Sequence, residues 1–466
     1  MKTFALKTEH KKILADTITP VSVYLKLRDV FPHSLLLESS DYHANKNDFS
    51  YICCNPIASI ELKNNKLISQ FPDGSSELED VDLNMNIPER IHQFSKQFKS
   101  KSFPFKFISN GIFGYVGHDA VDRFENIELD KKKPGSDIPD IYYAVYQNII
   151  AISLFNHEAH LFSHIYNGNH NLNDVEALLT AKNNSHFNFK KVGEKSSNLS
   201  DEQFIEFVKK GKDHCYRGDV FQLVLSRRFS QGFKGDEFNV YRTLRSINPS
   251  PYLFFFDYGY FRIFGSSPEA QLIVQDSKAE IHPIAGTFRR TGDDEKDAKA
   301  AEALAKDPKE NSEHVMLVDL ARNDLSRNGS KVEVEKNREV QFYSHVIHLV
   351  SKVTCKMKKS AKTFRVVADT FPAGTLSGAP KHKALQLIDR YETTKRNFYG
   401  GAIGYMDFHG NFNHAIIIRS FLSKNHELHY QAGAGIVADS VPENELQEVY
   451  NKLGALDKAL TLAEDI

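Results

Sequence analysis

Tryptophan is absent from the 466 residues, and cysteine occurs only at Cys53, Cys54, Cys215 and Cys355. No two cysteines form a CxxC pair, and none falls in a Cys/His cluster with zinc spacing, which excludes a disulfide framework and a structural zinc site. Free, buried thiols in a reducing cytoplasm are the expectation. Long apolar runs are also missing. Runs such as "YLFFF" (252–256) and "AIII" (415–418) are strand-sized, so no spanning helix is predicted. The opening "MKTFALKTEHKKILADTITP" has no apolar stretch long enough for a signal peptide. Excess charge is lacking as well. A formal net charge of −1 gives no global field for nucleic acid or an anionic membrane. The missing tryptophan carries no conclusion of its own.

What is present is an ordinary soluble composition, 41% hydrophobic and 26% charged, in a chain long enough for two domains. Residues 1–180 mix short strands with Asn, Gly and Asp turns. Hairpins are predicted at Asn64-Asn65 and near Asn156-His157. The polar stretch 181–200 reads as a linker, dividing the chain at 1–195 and 196–466. Ser200 then caps a helix, with Gln203 completing a capping box. A strand is expected over 220–230 and a strand meander over 251–287. Helices follow at about 294–306 and 309–326. The last third gives a strand at 346–357, a Gly-rich loop at 373–380, a helix at 381–391 and a hairpin at 400–424. It closes with a strand at 427–432, a second Gly-rich loop and a helix from 441. Meanders with outer helices indicate an α+β fold of large, mostly antiparallel sheets.

Two carboxylate pairs stand out. Glu310 and Glu313 lie three apart on one helix, above Leu317 and Leu320. Glu445 and Glu448 do the same on the terminal helix, read as capped by Ser440 with Glu443 completing a capping box, and Lys452 follows on that face. Pairs of this kind are usually solvated decoration. Two of them beside Gly-rich loops suit Mg²⁺, which needs few protein carboxylates because it keeps much of its water. The loops "AGTLSGAP" (373–380) and "QAGAGIVAD" (431–439) match neither a P-loop nor a dinucleotide turn. Arg419, closing the strand-like "HAIIIR", offers a planar fork for a carboxylate. Tyr399 opens "YGGAIGY", His348 lies in an apolar strand, and Glu269 follows a turn. The residues alone describe a Mg²⁺ site for a small carboxylate polyanion.

The ordered motifs "GDVFQLVLSRRF", "GSSPE", "HPIAGTFRR", "DPKENSEHVMLVDLARNDL", "FPAGTLSGAPK", "YGGAIGY" and "QAGAGIVADSVPENE" resemble those of the chorismate-utilising enzymes. Within that superfamily they look most like the large subunits of anthranilate synthases. The resemblance implies two stacked, mostly antiparallel sheets enclosed by outer helices. It implies that Glu313 and Glu448 ligate Mg²⁺, with Glu310 and Glu445 behind them. It further implies that Gly433, Ala434, Gly435 and Lys452 receive the ring carboxylate of chorismate, and that Tyr399 and Arg419 hold the enolpyruvyl carboxylate. Thr287 and Thr375 are implied as further contacts, Glu269 as the general acid and His348 as the proton acceptor.

Gln222 stands where relatives that add water carry a lysine, and Ala285 where many aminodeoxychorismate synthases carry one. Both point to ammonia as nucleophile and anthranilate as product. Aminodeoxychorismate synthase and aminodeoxyisochorismate synthase remain the enzymatic alternatives, and a non-catalytic tryptophan-sensing homologue the other. The resemblance also implies a separate glutamine amidotransferase subunit to deliver the ammonia. It further implies an L-tryptophan inhibitory site at Glu38 and Ser39 of "LLLESSD", completed by Pro249, Ser250 and Tyr252.

Overall fold

The computed structural model describes residues 2–39, 49–82, 85–181, 185–342 and 346–466; within these, the side chains of Thr287, Arg289 and Lys309 lie outside the described set. Two antiparallel sheets make up the architecture. The first runs in the order Gly329–Phe342, Val346–Met357, Lys278–Ile281, Ala270–Gln275, Phe412–Ile416, Ala402–Met406, Ile112–Val116, Ile141–Ser153, Ser50–Lys63. The second runs Phe189–Ser197, Gln222–Gly235, Glu427–Ile436, Ser420–Lys424, Phe261–Ser267, Tyr252–Asp257, Leu35–Glu38, Ser50–Lys63, Ile141–Ser153. The long strands Ser50–Lys63 and Ile141–Ser153 belong to both sheets. The first of them is bulged between Pro56 and Ala58, and a bulge bends a strand enough to carry it from one sheet into another.

One apolar core fills the space between the sheets. Phe113, Tyr115 and Ile403 of the first sheet meet Phe254, Phe261 and Ile263 of the second. Tyr115 stands edge-on to Phe261 with ring centroids 6.1 Å apart. A larger core lies between the sheets' outer faces and the helices. The terminal helix Pro442–Leu462 turns Val449, Leu453, Leu456 and Leu460 onto strand Glu427–Ile436. The strand answers with Leu428, Tyr430, Ala432, Ala434 and Ile436, every second residue. Its other face therefore carries Gly433 and Gly435.

Several expected elements stand as read. Both hairpins form, with Asn64, Asn65 and His157 in left-handed backbone. Ser200 and Gln203 make the reciprocal capping box on helix Asp201–Tyr216. Cys53, Cys54 and Cys355 are free and buried; Cys215 is free but only half-buried, short of the expected burial.

Other readings are corrected. The 181–200 stretch is more than a connection: Phe189–Ser197 is a strand paired with Gln222–Gly235. The loop expected at 431–439 is strand as far as Ile436. The loop at 373–380 holds a single helical turn, Gly374–Ser377, and a bridge to Gln222 and Leu223. The terminal helix is not capped by Ser440. Val441 is its N-cap, without a side-chain bond, and the Ser440 hydroxyl accepts from Val437 N at 3.0 Å. The meander expected over 251–287 runs on to Arg289, with a bulge between Ala285 and Phe288 in strand Ile284–Arg289, where Gly286 takes φ +68°.

Candidate active site

The glycine face of strand Glu427–Ile436 forms one wall of the site. A Cβ on Gly435 would come within 2.7 Å of Gln222 Nε2, and one on Gly433 within 2.7 Å of the Leu225 carbonyl. Only glycine leaves this wall flat and its backbone open to a close-lying ligand. Ala434 points the other way into the core, so its methyl does not face the site. Lys452 Nζ donates to the Gly433 carbonyl at 2.8 Å and pairs with Glu448 at 2.6 Å. Gln222 Nε2 donates to Glu313 Oε1 at 2.8 Å. Glu313 from helix Pro308–Asn328 and Glu448 from the terminal helix are thus tethered to adjoining positions on the same wall.

Among the described residues no group of three or more His, Cys, Asp or Glu side chains is assembled as a metal cage. The donor chemistry nonetheless fits a hard cation. Two carboxylates approach from separate helices, and Oε1 of Gln222, whose Nε2 holds Glu313, is buried without a hydrogen-bond partner among the described residues. Mg²⁺ takes few protein oxygens and fills the rest of its octahedron with water and substrate. Glu310 lies one turn before Glu313, its carboxylate 3.1 Å from where a Cβ on Gly286 would sit. Glu445 is buried in the first turn of the terminal helix.

Glu269 sits between strands Phe261–Ser267 and Ala270–Gln275. Its Oε1 accepts the Thr375 hydroxyl at 2.9 Å. Burial pushes its carboxyl up to about 7, against the pull of the Thr375 hydrogen bond and of the Lys452 and Arg419 charges. Near neutral pH it therefore carries a transferable proton in a large share of molecules. Thr375 is held by the one-turn helix, which puts its hydroxyl over the carboxylate.

Arg419 does not end a strand, as its sequence setting suggested. It occupies the connection between Phe412–Ile416 and Ser420–Lys424 at φ +48°. Left-handed backbone is uncommon for a residue with a Cβ, and such strain clusters at functional sites. Burial depresses its pKa, with the Glu269 charge opposing. No hydrogen bond or ion pair within the described residues engages its guanidinium. The half-buried guanidinium, with its fork unengaged among the described residues, is chemically able to receive a carboxylate.

His348 Nδ1 lies 2.7 Å from the Gly286 carbonyl. A carbonyl only accepts, so Nδ1 carries the proton and the ring lone pair resides on Nε2. Burial pushes its pKa down to about 4, with the Arg419 charge adding to the effect and the Gly286 bond opposing it. The ring is a neutral base at physiological pH. Tyr399 is buried in the turn before strand Ala402–Met406. Burial raises its pKa above the ordinary phenol range, while the Arg396 charge and a bond from the Gly433 backbone oppose the shift. Ala285 is buried in strand Ile284–Arg289, paired with Leu349. Thr287 is in that strand, its side chain outside the described set.

Of the residues expected at a tryptophan site, Glu38 lies in a strand paired with the one that Tyr252 opens. Leu253 pairs with Glu38, and "LLLE" (35–38) runs antiparallel to "LFFF" (253–256), just after "NPSPY". The Glu38 carboxylate accepts from Tyr241 at 2.6 Å and from Arg245 at 2.8 Å. Ser39 is half-buried, next to a segment outside the described residues. Ser250 is buried, while Pro249 and Tyr252 are half-buried.

Sequence reasoning missed two features. Gln222 was read only as a missing lysine, yet it anchors Glu313. Arg396 and Glu392, in "YETTKRNFY", form a buried ion pair behind Tyr399 that nothing in a Thr/Lys-rich turn announces.

The sequence matches the family described as chorismate binding enzyme over residues 33–458. It is 36% identical to anthranilate synthase component 1 of Aquifex aeolicus, over 98% of this chain and 95% of that protein. It is 37% identical to anthranilate synthase component 1 of Lactococcus lactis, over 96% and 98%. The solved anthranilate synthase component I of Streptococcus pneumoniae superposes with TM-score 0.77 at 30% identity, over 96% of this chain and 99% of that one. The menaquinone-specific isochorismate synthase of Escherichia coli superposes with TM-score 0.75 at 17% identity, a likeness of fold alone.

Proposed function

The chain belongs to the chorismate binding enzyme family, and on that premise we propose that it is an anthranilate synthase component 1, a lyase that uses ammonia to convert chorismate to anthranilate in tryptophan biosynthesis. The observation that carries this reading is the half-buried Arg419 guanidinium, without a hydrogen bond or ion pair among the described residues, next to a Glu269 carboxyl held near neutrality. One binds an anion and the other supplies a proton. The choice of product rests on likeness along the whole chain to proteins of that name, and on Gln222 and Ala285 where other branches carry lysine.

Chorismate has two carboxylates. The enolpyruvyl one fits Arg419 and Tyr399. The ring carboxylate fits the glycine wall near Lys452, between Glu313 and Glu448. Those two glutamates would hold Mg²⁺, with Glu310 and Glu445 behind them. The ion, when bound, would withdraw charge from the ring as its bonds shift.

Glu269 donates its proton to the ring hydroxyl, which leaves as water, while ammonia forms the new C–N bond and sheds one proton. Gln222, an amide tied to Glu313, has no basicity with which to activate water in its place. His348 Nε2 then takes the ring proton at the carbon bearing nitrogen. The C–H electrons complete the aromatic ring, and the C–O bond to the side chain breaks. The departing enolpyruvate picks up a proton and is released as pyruvate. A neutral imidazole with its tautomer set by Gly286 is suited to that step.

The deciding experiment incubates the purified protein with chorismate, Mg²⁺ and ammonium, and identifies the product by mass and fluorescence. Anthranilate is expected. Accumulation of an aminodeoxychorismate or aminodeoxyisochorismate would assign a sister reaction. Glu448→Gln should raise the Mg²⁺ concentration for half-maximal rate at least about tenfold, as lost metal-site contacts usually do. The Glu448–Lys452 pair is half exposed, so its loss should barely move the melting temperature. Normal turnover at limiting Mg²⁺ would remove Glu448 from the metal.

The reading extends to a glutamine amidotransferase subunit as ammonia source, a cytoplasmic setting and inhibition by L-tryptophan. No helix among the described residues is long and apolar enough to cross a membrane. The pairing of Leu35–Glu38 with Tyr252–Asp257 supports an inhibitor pocket at that seam. A millimolar L-tryptophan titration should lower the rate; a flat response would dismiss the pocket.

A further inference from the structure

We infer that Arg396, which lies behind the site, is a positioning residue that sets Tyr399 and the Thr375–Glu269 pair with one side chain. The inference rests on the functional reading above.

The Arg396 side chain is 1% exposed, and four of its five N–H groups donate within the protein. Nε and Nη2 donate to Glu392 at 2.9 and 2.6 Å. Nη1 donates to the Leu376 carbonyl at 2.6 Å, and Nη2 to the Val224 carbonyl at 2.8 Å. Leu376 is the residue after Thr375 in the one-turn helix Gly374–Ser377. So short a helix has almost no cohesion of its own, and the guanidinium supplies an external anchor. The same guanidinium lies 5.7 Å from the centroid of the Tyr399 ring, a supporting cation–π contact. Val224 is two residues beyond Gln222, which anchors Glu313. One buried group thus holds the supports of the proton donor, of the carboxylate-binding tyrosine and of the glutamine on the metal-side acid.

The arrangement closes into a ring. Glu392 accepts from Ser226 N and Oγ at 2.9 and 2.7 Å. Ser226 Oγ accepts from Gln431 Nε2 at 2.7 Å, and Gln431 Oε1 accepts from Arg228 Nε at 3.1 Å. Arg228 Nη2 returns to the Arg396 carbonyl at 3.1 Å. A buried pair of charges is weak grounds for stability, because desolvation consumes most of the attraction. Its best use is directional: the fork fixes four acceptors in one plane, which the point charge of a lysine cannot do.

The test uses Arg396→Lys and the milder Ser226→Ala. Turnover is followed with chorismate and Mg²⁺ at fixed free ammonia, chorismate binding by calorimetry, and folding by circular dichroism and melting temperature. Arg396→Lys should lower kcat on the order of 10-fold or more and weaken chorismate binding several-fold. The descending limb of its pH–rate profile should move to higher pH. That last shift is specific, because Glu269 without the Thr375 hydrogen bond holds its proton more tightly, while Lys452 and Arg419, the charges facing it, are unchanged. Ser226→Ala should move all three in the same direction by less. Folded variants with wild-type values, or an amplitude loss with the limb in place, would overturn the inference. If Arg396→Lys does not fold, the limb and affinity of Ser226→Ala decide. If the wild type forms no anthranilate, the functional reading fails, and the calorimetric comparison still tests the Tyr399 arm.

Discussion

Arg419→Met should lower kcat/KM on the order of 10³-fold, yet leave the melting temperature unchanged or raised. Removing one partner of a buried charge pair costs about 2–5 kcal/mol of binding, and the lower part of that range already corresponds to a large rate loss. The stability arm is more diagnostic. An arginine holding the fold together has partners, and its removal leaves them exposed and unpaired. Arg419 has no hydrogen bond or ion pair within the described residues, and burial already depresses its pKa. Methionine at the same position removes a half-buried charge that has no hydrogen bond or ion pair among the described residues, so little stability is lost with it. Both residues pay equally for the left-handed backbone at φ +48°. Steady-state kinetics beside differential scanning calorimetry reads both arms. A clear drop in melting temperature with activity preserved would mean that the guanidinium serves the fold and not the substrate.

Glu269→Gln should lower kcat by about 10²–10⁴-fold, the usual worth of a positioned proton donor. Glutamine keeps the shape and can still meet the Thr375 hydroxyl, so the loss isolates the proton. The wild-type rate should fall as pH rises through about 7, because the acid must be protonated and burial places its pKa there. A dianionic substrate alongside would push the fall to higher pH. Free ammonia rises with pH and masks this limb, so it must be held constant across the series. Residual turnover of Glu269→Gln should show no such limb. A variant retaining both the rate and the limb would take Glu269 out of the proton transfer.

His348 works in the opposite sense. Its pKa near 4 keeps it a base over the whole physiological range. Two buried groups are thus pushed apart by the same cause, since burial disfavours charge on each. A carboxyl rises and an imidazole falls, which yields a neutral acid and a neutral base within one recess.

Much of the fold could be read from local pattern. The hairpins at Asn64-Asn65 and His157 were legible because left-handed turn positions select such residues. Helix Asp201–Tyr216 was legible because Ser200 and Gln203 sit at the spacing of a capping box. The same logic failed at Ser440, whose hydroxyl serves Val437 instead. A cap is a competition among nearby donors that spacing cannot adjudicate. "QAGAG" looked like a loop because glycine is a poor strand former. It is strand because Gln431–Ile436 pairs with Leu223–Arg228 and buries Ala432 and Ala434 on the terminal helix. Neighbours, and not intrinsic preference, made that choice. Phe189–Ser197 is the same case at a sheet edge.

Taken alone, the sequence determined the residue types of the chemistry: oxygen donors for a hard cation, a planar cation for a carboxylate, a histidine and an acid, and no thiol or lysine nucleophile at Ala285 or Gln222. Those are properties of side chains and travel with the letters. The tertiary structure alone decided which of them are charged, which are paired and what holds them. It left Arg419 without a hydrogen bond or ion pair among the described residues, raised Glu269 and lowered His348. It also turned Arg396 and Glu392 from an apparently solvated turn into a buried brace. Desolvation is the reason. It depends on which distant segments close over a group, and a linear pattern of residues does not contain that information.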